Sequence, residues 1–205
     1  MFWDKVSGLY DQFESVFNGK VYRDTGRVVA KEIEADDSVL ECACGTGGIS
    51  RYIAPICRKL VATDYSVKML KATAKNMKPY NNVIVKRADI TNLKSKDEAF
   101  DKVVAGNVIH LLNDPYAALE ELLRVCKTGG KVIIPTYITL RNGKPSLLVS
   151  VLKKAGAGFE REFDLDSYKR FFADGGYDNV EYHPVYGTVP CVVAILHKKS
   201  SRRGK

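Results

Sequence analysis

Four polar residues stand at the ends of successive predicted strands: Glu41, Asp64, Asp89 and Asn107. A loop of small residues, Gly45-Thr46-Gly47-Gly48, follows the first of them and opens a helix. Small residues let a ligand approach the backbone, and a helix start offers unpaired N–H groups and a positive dipole end. Asp64 lies 19 residues after Gly45, where a carboxylate accepts ribose hydroxyls. Gly45 to Ser50 approximates G-x-G-x-x-G, which on its own fits any nucleotide. Glu41 narrows the choice. It stands where a dinucleotide's pyrophosphate would lie, repels phosphate and favours an ammonium group. Asp89 suits the adenine amino group, the Ile90 N–H a ring nitrogen, and Tyr65 with Met69 the two faces of the base. A nucleoside with an amino-acid end and no phosphate is S-adenosylmethionine. His110, three residues past Asn107, is the one attractive general base, expected on the turn leaving the fourth strand and facing the reacting methyl. The bland alternative for His110 is packing or orienting a backbone carbonyl.

These residues need a scaffold that brings strand ends together. Apolar runs predict strands over 38–41, 59–63, 83–86, 101–105 and 131–137, alternating with helices. Ser66 should cap one helix, Asp114 with Pro115 another, and Asp164 or Asp166 a third. Pro55 should end the helix after the glycines near Ala54. Residues 91–100 are polar, with at most a weak helix. Two closing strands, 180–185 and 189–196, are joined by Tyr186-Gly187-Thr188 at hairpin spacing. Alternation implies a mostly parallel sheet covered on both faces, with ligands at the carboxyl ends of its strands. Before this core, Phe2 to Phe17 forms an aromatic amphipathic pattern and Val21 to Glu34 a second helix. Packing against the core accounts for most of this aromatic pattern, with Tyr10 and Tyr22 the candidates to point a hydroxyl into a site instead.

The chain of 205 residues is expected to form a single domain. Its parts are a helical N-terminal cap (1–37), a cofactor-binding core (38–140), a lid insertion (141–163), a last helix with the hairpin (164–198) and a basic tail (199–205). Five cysteines, an odd number, fit a reducing compartment, and Cys42-Ala43-Cys44 lacks the second pair of a zinc site, so no metal is expected. No apolar run approaches a membrane span and no leader pattern opens the chain, so a cytoplasmic protein without a membrane partner is expected. Net charge is +8, from 32 basic and 24 acidic residues, part of it in the tail. The charge permits a nucleic acid without favouring one, and oligomeric state is left open.

The stretches VLECACGTG, VATDYSVKML, KRADITNL, FDKVVAGNVIHLL and CKTGGKVIIPTY resemble, in order and spacing, the motifs of class I S-adenosylmethionine-dependent methyltransferases. The likeness covers about residues 39–137. FWDKVSGLYDQF is similar to the helix before the core in the ubiquinone and menaquinone pathway group, which implies that Tyr10 contacts the cofactor. The resemblance implies an α/β, Rossmann-like, doubly wound seven-stranded sheet, mostly parallel, with an antiparallel C-terminal hairpin and a helical N-terminal cap. It implies that Glu41, Ala43, Gly45 and Gly47 hold the methionine end and Asp64 the ribose. Tyr65 and Met69 would take the adenine faces, Asp89 and Ile90 its edge, and Asn107 would border the sulfonium. Ala43 departs from the family's E-x-G-x-G-x-G pattern; an alanine costs little there if the backbone has a negative φ, and binding is expected to survive. The implied function is methyl transfer to a small-molecule O, N, S or C nucleophile. The N-P-P-Y signature of amino-methylating DNA enzymes is absent. An RNA methyltransferase and a non-catalytic S-adenosylmethionine-binding partner protein are the alternatives. A nicotinamide oxidoreductase is opposed by Glu41.

Overall fold

The computed structural model describes residues 18–139 and 161–199. The first predicted helix with Tyr10, most of the lid insertion and most of the basic tail lie outside the described residues. Seven strands form one sheet: β1 (Ser38–Cys42), β2 (Lys59–Asp64), β3 (Val83–Arg87), β4 (Phe100–Ala105), β5 (Cys126–Tyr137), β6 (Val180–Val185) and β7 (Cys191–His197). Their order is β3-β2-β1-β4-β5-β7-β6. The first five pair in parallel, and β7 runs antiparallel between β5 and β6. The doubly wound sheet and its closing hairpin are those expected from the sequence.

The helices are α1 (Gly19–Lys31), α2 (Ser50–Ile53), α3 (Val67–Asn76), α4 (Pro115–Val125) and α5 (Leu165–Asp174). Period-two alternation in the strands decides which face each residue joins. Val104, Ile133 and Ile195 pack with Val29, Ile53 and Met77. Val103, Val132, Ile134 and Leu196 pack with Leu119, Leu122 and Phe172. Two apolar layers therefore sandwich the central strands, which is why those strands read as unbroken hydrophobic runs. The helix starts are local in origin. Ser66 accepts from the Met69 N–H, and Asp114 from Ala117 with Pro115 at the first position. Asp164, not Asp166, caps α5 in a capping box with Ser167.

Two strand starts differ from the sequence pattern by two residues or more. The last strand begins at Cys191 rather than Val189. The Asn18 side chain takes both backbone groups of Val189, donating to its carbonyl (2.9 Å) and accepting from its N–H (3.1 Å), and Pro190 has no N–H to offer a ladder. β5 begins at Cys126 rather than Lys131. Cys126 pairs with Phe100, the register then shifts, and Gly129 turns the chain at φ +80° before Lys131 pairs with Lys102.

The connection from β3 to β4 carries no helix. Arg124 holds it instead, donating to the Leu93 and Ser95 carbonyls while pairing with Glu121 and Asp97. Ion pairs gather at the amino ends of the strands: Lys102 with Asp37, both nearly buried, Lys127 with Asp101, and Lys131 with Glu32. All five cysteines are buried free thiols. Among the described residues no helix is long and apolar enough to cross a membrane.

Candidate active site

The carboxyl ends of β1, β2 and β4 surround a cavity of about 290 Å³. Glu41, Ala43, Gly45, Asp64, Tyr65, Met69, Asp89, Ile90 and Asn107 all line it. Parallel pairing brings them together, because Glu41 lies opposite Ala62 and Val104, so the ends of three strands are level. Gly47 is not on the wall. It turns the chain at φ +88°, and a Cβ there would meet Met77 and Thr73 of α3 at 3.4 Å. Its part is to seat the loop on α3.

Three strong contacts fix that loop. The Gly45 N–H donates to Asp64 Oδ2 (2.9 Å), Thr73 Oγ1 donates to the Gly45 carbonyl (2.6 Å), and Asn76 donates to the Thr46 carbonyl (2.9 Å). Asp64 Oδ1 accepts from the Ser66 N–H (2.8 Å). Gly45 has φ +57°, and a Cβ there would meet nothing within 4 Å, so space for a ligand opens directly off the backbone.

Glu41 is 2% exposed yet borders the cavity. Ser50 Oγ donates to its Oε2. Burial pushes its carboxyl up to about 8, the Ser50 hydrogen bond opposes that rise, and the nearby Asp64 charge adds to it. Among the described residues no cationic side chain pairs with it. A desolvated carboxyl in this setting is stabilised as an anion by a cation brought from outside.

The condition of a negative φ is not met at Ala43. It sits at φ +54°, in the left-handed region that costs an alanine about 1–2 kcal/mol. Asn107, at φ +52°, is a residue type that tolerates this region. Its N–H donates to the Pro135 carbonyl (2.7 Å) and its Oδ1 accepts from the Tyr137 N–H (3.1 Å), so it ties the tip of β4 to β5. Asp89 Oδ1 accepts from the Thr91 N–H and hydroxyl. Tyr65 is 47% exposed, with the Arg87 guanidinium carbon 4.7 Å from its ring centroid, and Met69 is buried on the cavity wall.

His110 lies on a 3-10 turn, Ile109–Leu111, and is 6% exposed. Val108, Leu111 and Leu112 line the cavity there, and His110 does not. Desolvation pushes its imidazole down to about 4, so it is neutral around pH 7. The Arg161 N–H donates to its backbone carbonyl.

Tyr22 reaches the cavity from α1, and a Cβ on Gly48 would fall on its hydroxyl. That explains a glycine at 48 and an early tyrosine in α1. Ser50, Thr73 and Asn76 were not singled out by spacing. The available signal was polarity on the inner side of α2 and α3, since a buried threonine in an apolar helix stripe needs a partner.

Known proteins share this architecture. Residues 40–134 match the family described as "Methyltransferase domain". The demethylmenaquinone methyltransferase of Clavibacter sepedonicus is 34% identical over 141 residues, 67% of this chain and 57% of that relative, so the match spans little more than half its length. That of Streptomyces avermitilis is 31% identical over 157 residues, 73% of this chain and 67% of the relative. A Thermotoga maritima structure, described as an S-adenosylmethionine-dependent methyltransferase and possible histamine N-methyltransferase, superposes with a TM-score of 0.73. It is 22% identical, with 97% of this chain and 98% of that one covered, and shows the shared fold. A strand order of 3-2-1-4-5-7-6, a glycine loop tied to the carboxylate at the end of β2 and these likenesses place the chain in the class I S-adenosylmethionine-dependent methyltransferases, with S-adenosylmethionine as its cofactor.

Proposed function

We propose that the chain transfers the methyl group of S-adenosylmethionine to a small, largely apolar acceptor, and that this acceptor is an electron-rich ring of quinol type methylated at carbon. The observation that carries the cofactor half is Glu41: a buried carboxyl with no cationic partner among the described residues, in one cavity with the loop-anchoring Asp64. Glu41 would hold the ammonium of the methionine end and Asp64 the ribose hydroxyls. Tyr65, Met69, Asp89 and Ile90 would hold the adenine. The sulfonium supplies an already activated methyl group, so the chain's own task is alignment, which is worth up to about 7–11 kcal/mol. Asn107, locked between β4 and β5, is the positioning residue at that end.

The acceptor half rests on two supports. Val108, Leu111 and Leu112 make the wall next to Asn107 apolar. The relatives named above are demethylmenaquinone methyltransferases. His110 would act as a neutral group beside this wall, since an imidazole held near 4 is a weak base for a phenol.

The test is label transfer. The chain is incubated with methyl-labelled S-adenosylmethionine and either a host lipid extract or a water-soluble metabolite extract, and products are identified by mass spectrometry. A ring-methylated quinol in the lipid fraction is expected. A labelled product confined to water-soluble amines, thiols or RNA would overturn the acceptor class. Failure of S-adenosylhomocysteine to bind by calorimetry would overturn the cofactor contacts.

A further inference from the structure

One stretch of the chain carries as large a charge excess as the whole molecule. Residues 58–96 hold ten basic and two acidic side chains, an excess equal to the +8 of the whole chain. The two acids, Asp64 and Asp89, face the cavity. α3 contains no acid at all. Lys68, Lys71 and Lys75 lie on it, Lys78 just beyond its end, and all four are exposed. At about 100° per residue they fall within roughly 80° of the helix circumference, opposite the buried Met69, Thr73 and Met77.

Arg87 ends the edge strand β3. It shares the strand face of Val83, which packs on the α3 side of the sheet. Its guanidinium lies on the Tyr65 ring just before α3. None of these five cations is in an ion pair among the described residues. By contrast Lys20, Arg124, Lys127 and Lys131 each meet an acid within 3 Å. Lysines three and four apart on one helix face repel each other, and the repulsion is relieved when an anion covers them.

Apolar side chains border the row. Of six exposed large apolar residues among those described, Val67 opens α3 and Tyr65 stands just before it. Cations flanked by exposed apolar groups match a lipid interface, where headgroups meet the charges and the apolar groups enter the acyl boundary. A single-stranded nucleic acid would need aromatic faces for stacking. Tyr65 is the one exposed aromatic in residues 58–96, and Arg87 lies over its ring.

We propose that the α3 face is a docking surface for an anionic lipid bilayer, with Lys68, Lys71, Lys75, Lys78 and Arg87 on the headgroups and Val67 beside them at the interface. The surface lies outside the cavity, and the inference does not depend on which acceptor is methylated. Tyr65 also lines the cavity, so the docked face adjoins the mouth of the site.

The experiment is co-sedimentation of the full chain with vesicles of phosphatidylcholine alone or of phosphatidylcholine with phosphatidylglycerol. Binding to the anionic vesicles alone is expected, falling as added salt shortens the screening length. Each lysine removed should lower the partition coefficient about fivefold. K71A/K75A should lose about 25-fold and K68A/K71A/K75A/K78A several hundred-fold. K169A/R170A, two exposed cations on α5, should bind like the unaltered chain. Binding of S-adenosylhomocysteine, measured on each variant, reports that the fold and cavity are intact. Equal binding to both vesicle types, binding to neither, or an undiminished partition of the quadruple variant would overturn the proposal. Salt-sensitive retention on single-stranded RNA without vesicle binding would overturn it in favour of a nucleic acid. If the quadruple variant fails to fold, K71A/K75A and the salt titration of the unaltered chain decide the matter.

Discussion

Cofactor binding should expel a proton from Glu41. Burial raises this carboxyl to about 8, with the Asp64 charge adding to the rise and Ser50 opposing it. An acid of that strength is about 90% protonated at pH 7. The ammonium of the methionine end favours the ionised form. Binding at pH 7 should therefore release about 0.9 proton, and at pH 8 about half a proton. Affinity should rise about tenfold per pH unit below 8. It should then level off, because Glu41 is already ionised and an α-amino group begins to lose its own proton at about 7.7–8.0. The stability of the chain measured without cofactor runs the other way. Its folded value lies above the reference 4.5, so this contribution is complete below about pH 4.5 and is lost as pH rises toward about 8. The slope is about 1.4 kcal/mol per unit, and bound cofactor should remove it.

The assay is calorimetry with S-adenosylhomocysteine in phosphate and in Tris, whose ionisation enthalpies differ. A difference in observed heat gives the protons released. Glu41→Gln keeps an acceptor for the Ser50 hydroxyl and cannot ionise, so it should bind more weakly, release no proton and show no pH slope below 8. Equal heats in both buffers for the unaltered chain would refute the reasoning. Proton release that persists in Glu41→Gln would assign it to another group.

Asp64→Ala should weaken S-adenosylhomocysteine binding at least about 100-fold. It removes the acceptor for Gly45 and Ser66 as well as for the ribose, and charged hydrogen bonds are worth about 1.5–3 kcal/mol each. A loss below tenfold would count against the ribose role. Ala43→Gly relieves the φ of +54° and should raise stability by about 0.5–1 kcal/mol after the entropy of glycine is deducted, leaving cofactor affinity unchanged. A melting temperature that falls would contradict a strained turn. At saturating cofactor, kcat should show no histidine limb around neutrality and any such limb should lie near pH 4, whereas one near 6.5 would mean that His110 is hydrated. Asp37→Asn leaves the buried Lys102 only the exposed Glu34 at 4.0 Å and should cost about 3–5 kcal/mol in denaturant unfolding, with cofactor affinity of the folded fraction unaltered.

The features legible in the sequence are local ones. A strand's alternation and a helix's 3.6-residue stripe belong to contiguous residues, as do Ser66, Asp114 and Asp164, whose side chains cap the helices that follow. The strand ends carrying Glu41, Asp64, Asp89 and Asn107 could be read because parallel pairing leaves little freedom in where successive strands finish. The misread strand starts had non-local causes: Asn18 claims the backbone of Val189 from 171 positions away, and Phe100 recruits Cys126 ahead of the Gly129 bulge.

What only the tertiary structure decided is the state of each group in the site. Spacing placed Glu41 beside the glycine loop. That it is desolvated, held by Ser50 and raised to about 8 depends on how α2 closes over β1. Spacing offered His110 as a base, and packing buried it on a turn and lowered it to about 4. Whether Ala43 keeps a relaxed backbone was open in the sequence, and in the fold it is left-handed, next to the loop held by Asp64, Thr73 and Asn76. The +8 was visible as a sum, and only the folded chain shows lysines 68, 71, 75 and 78 together on an outer face without acids. Periodicity is encoded by neighbours in sequence, whereas ionisation, strain and surface charge are set by neighbours in space.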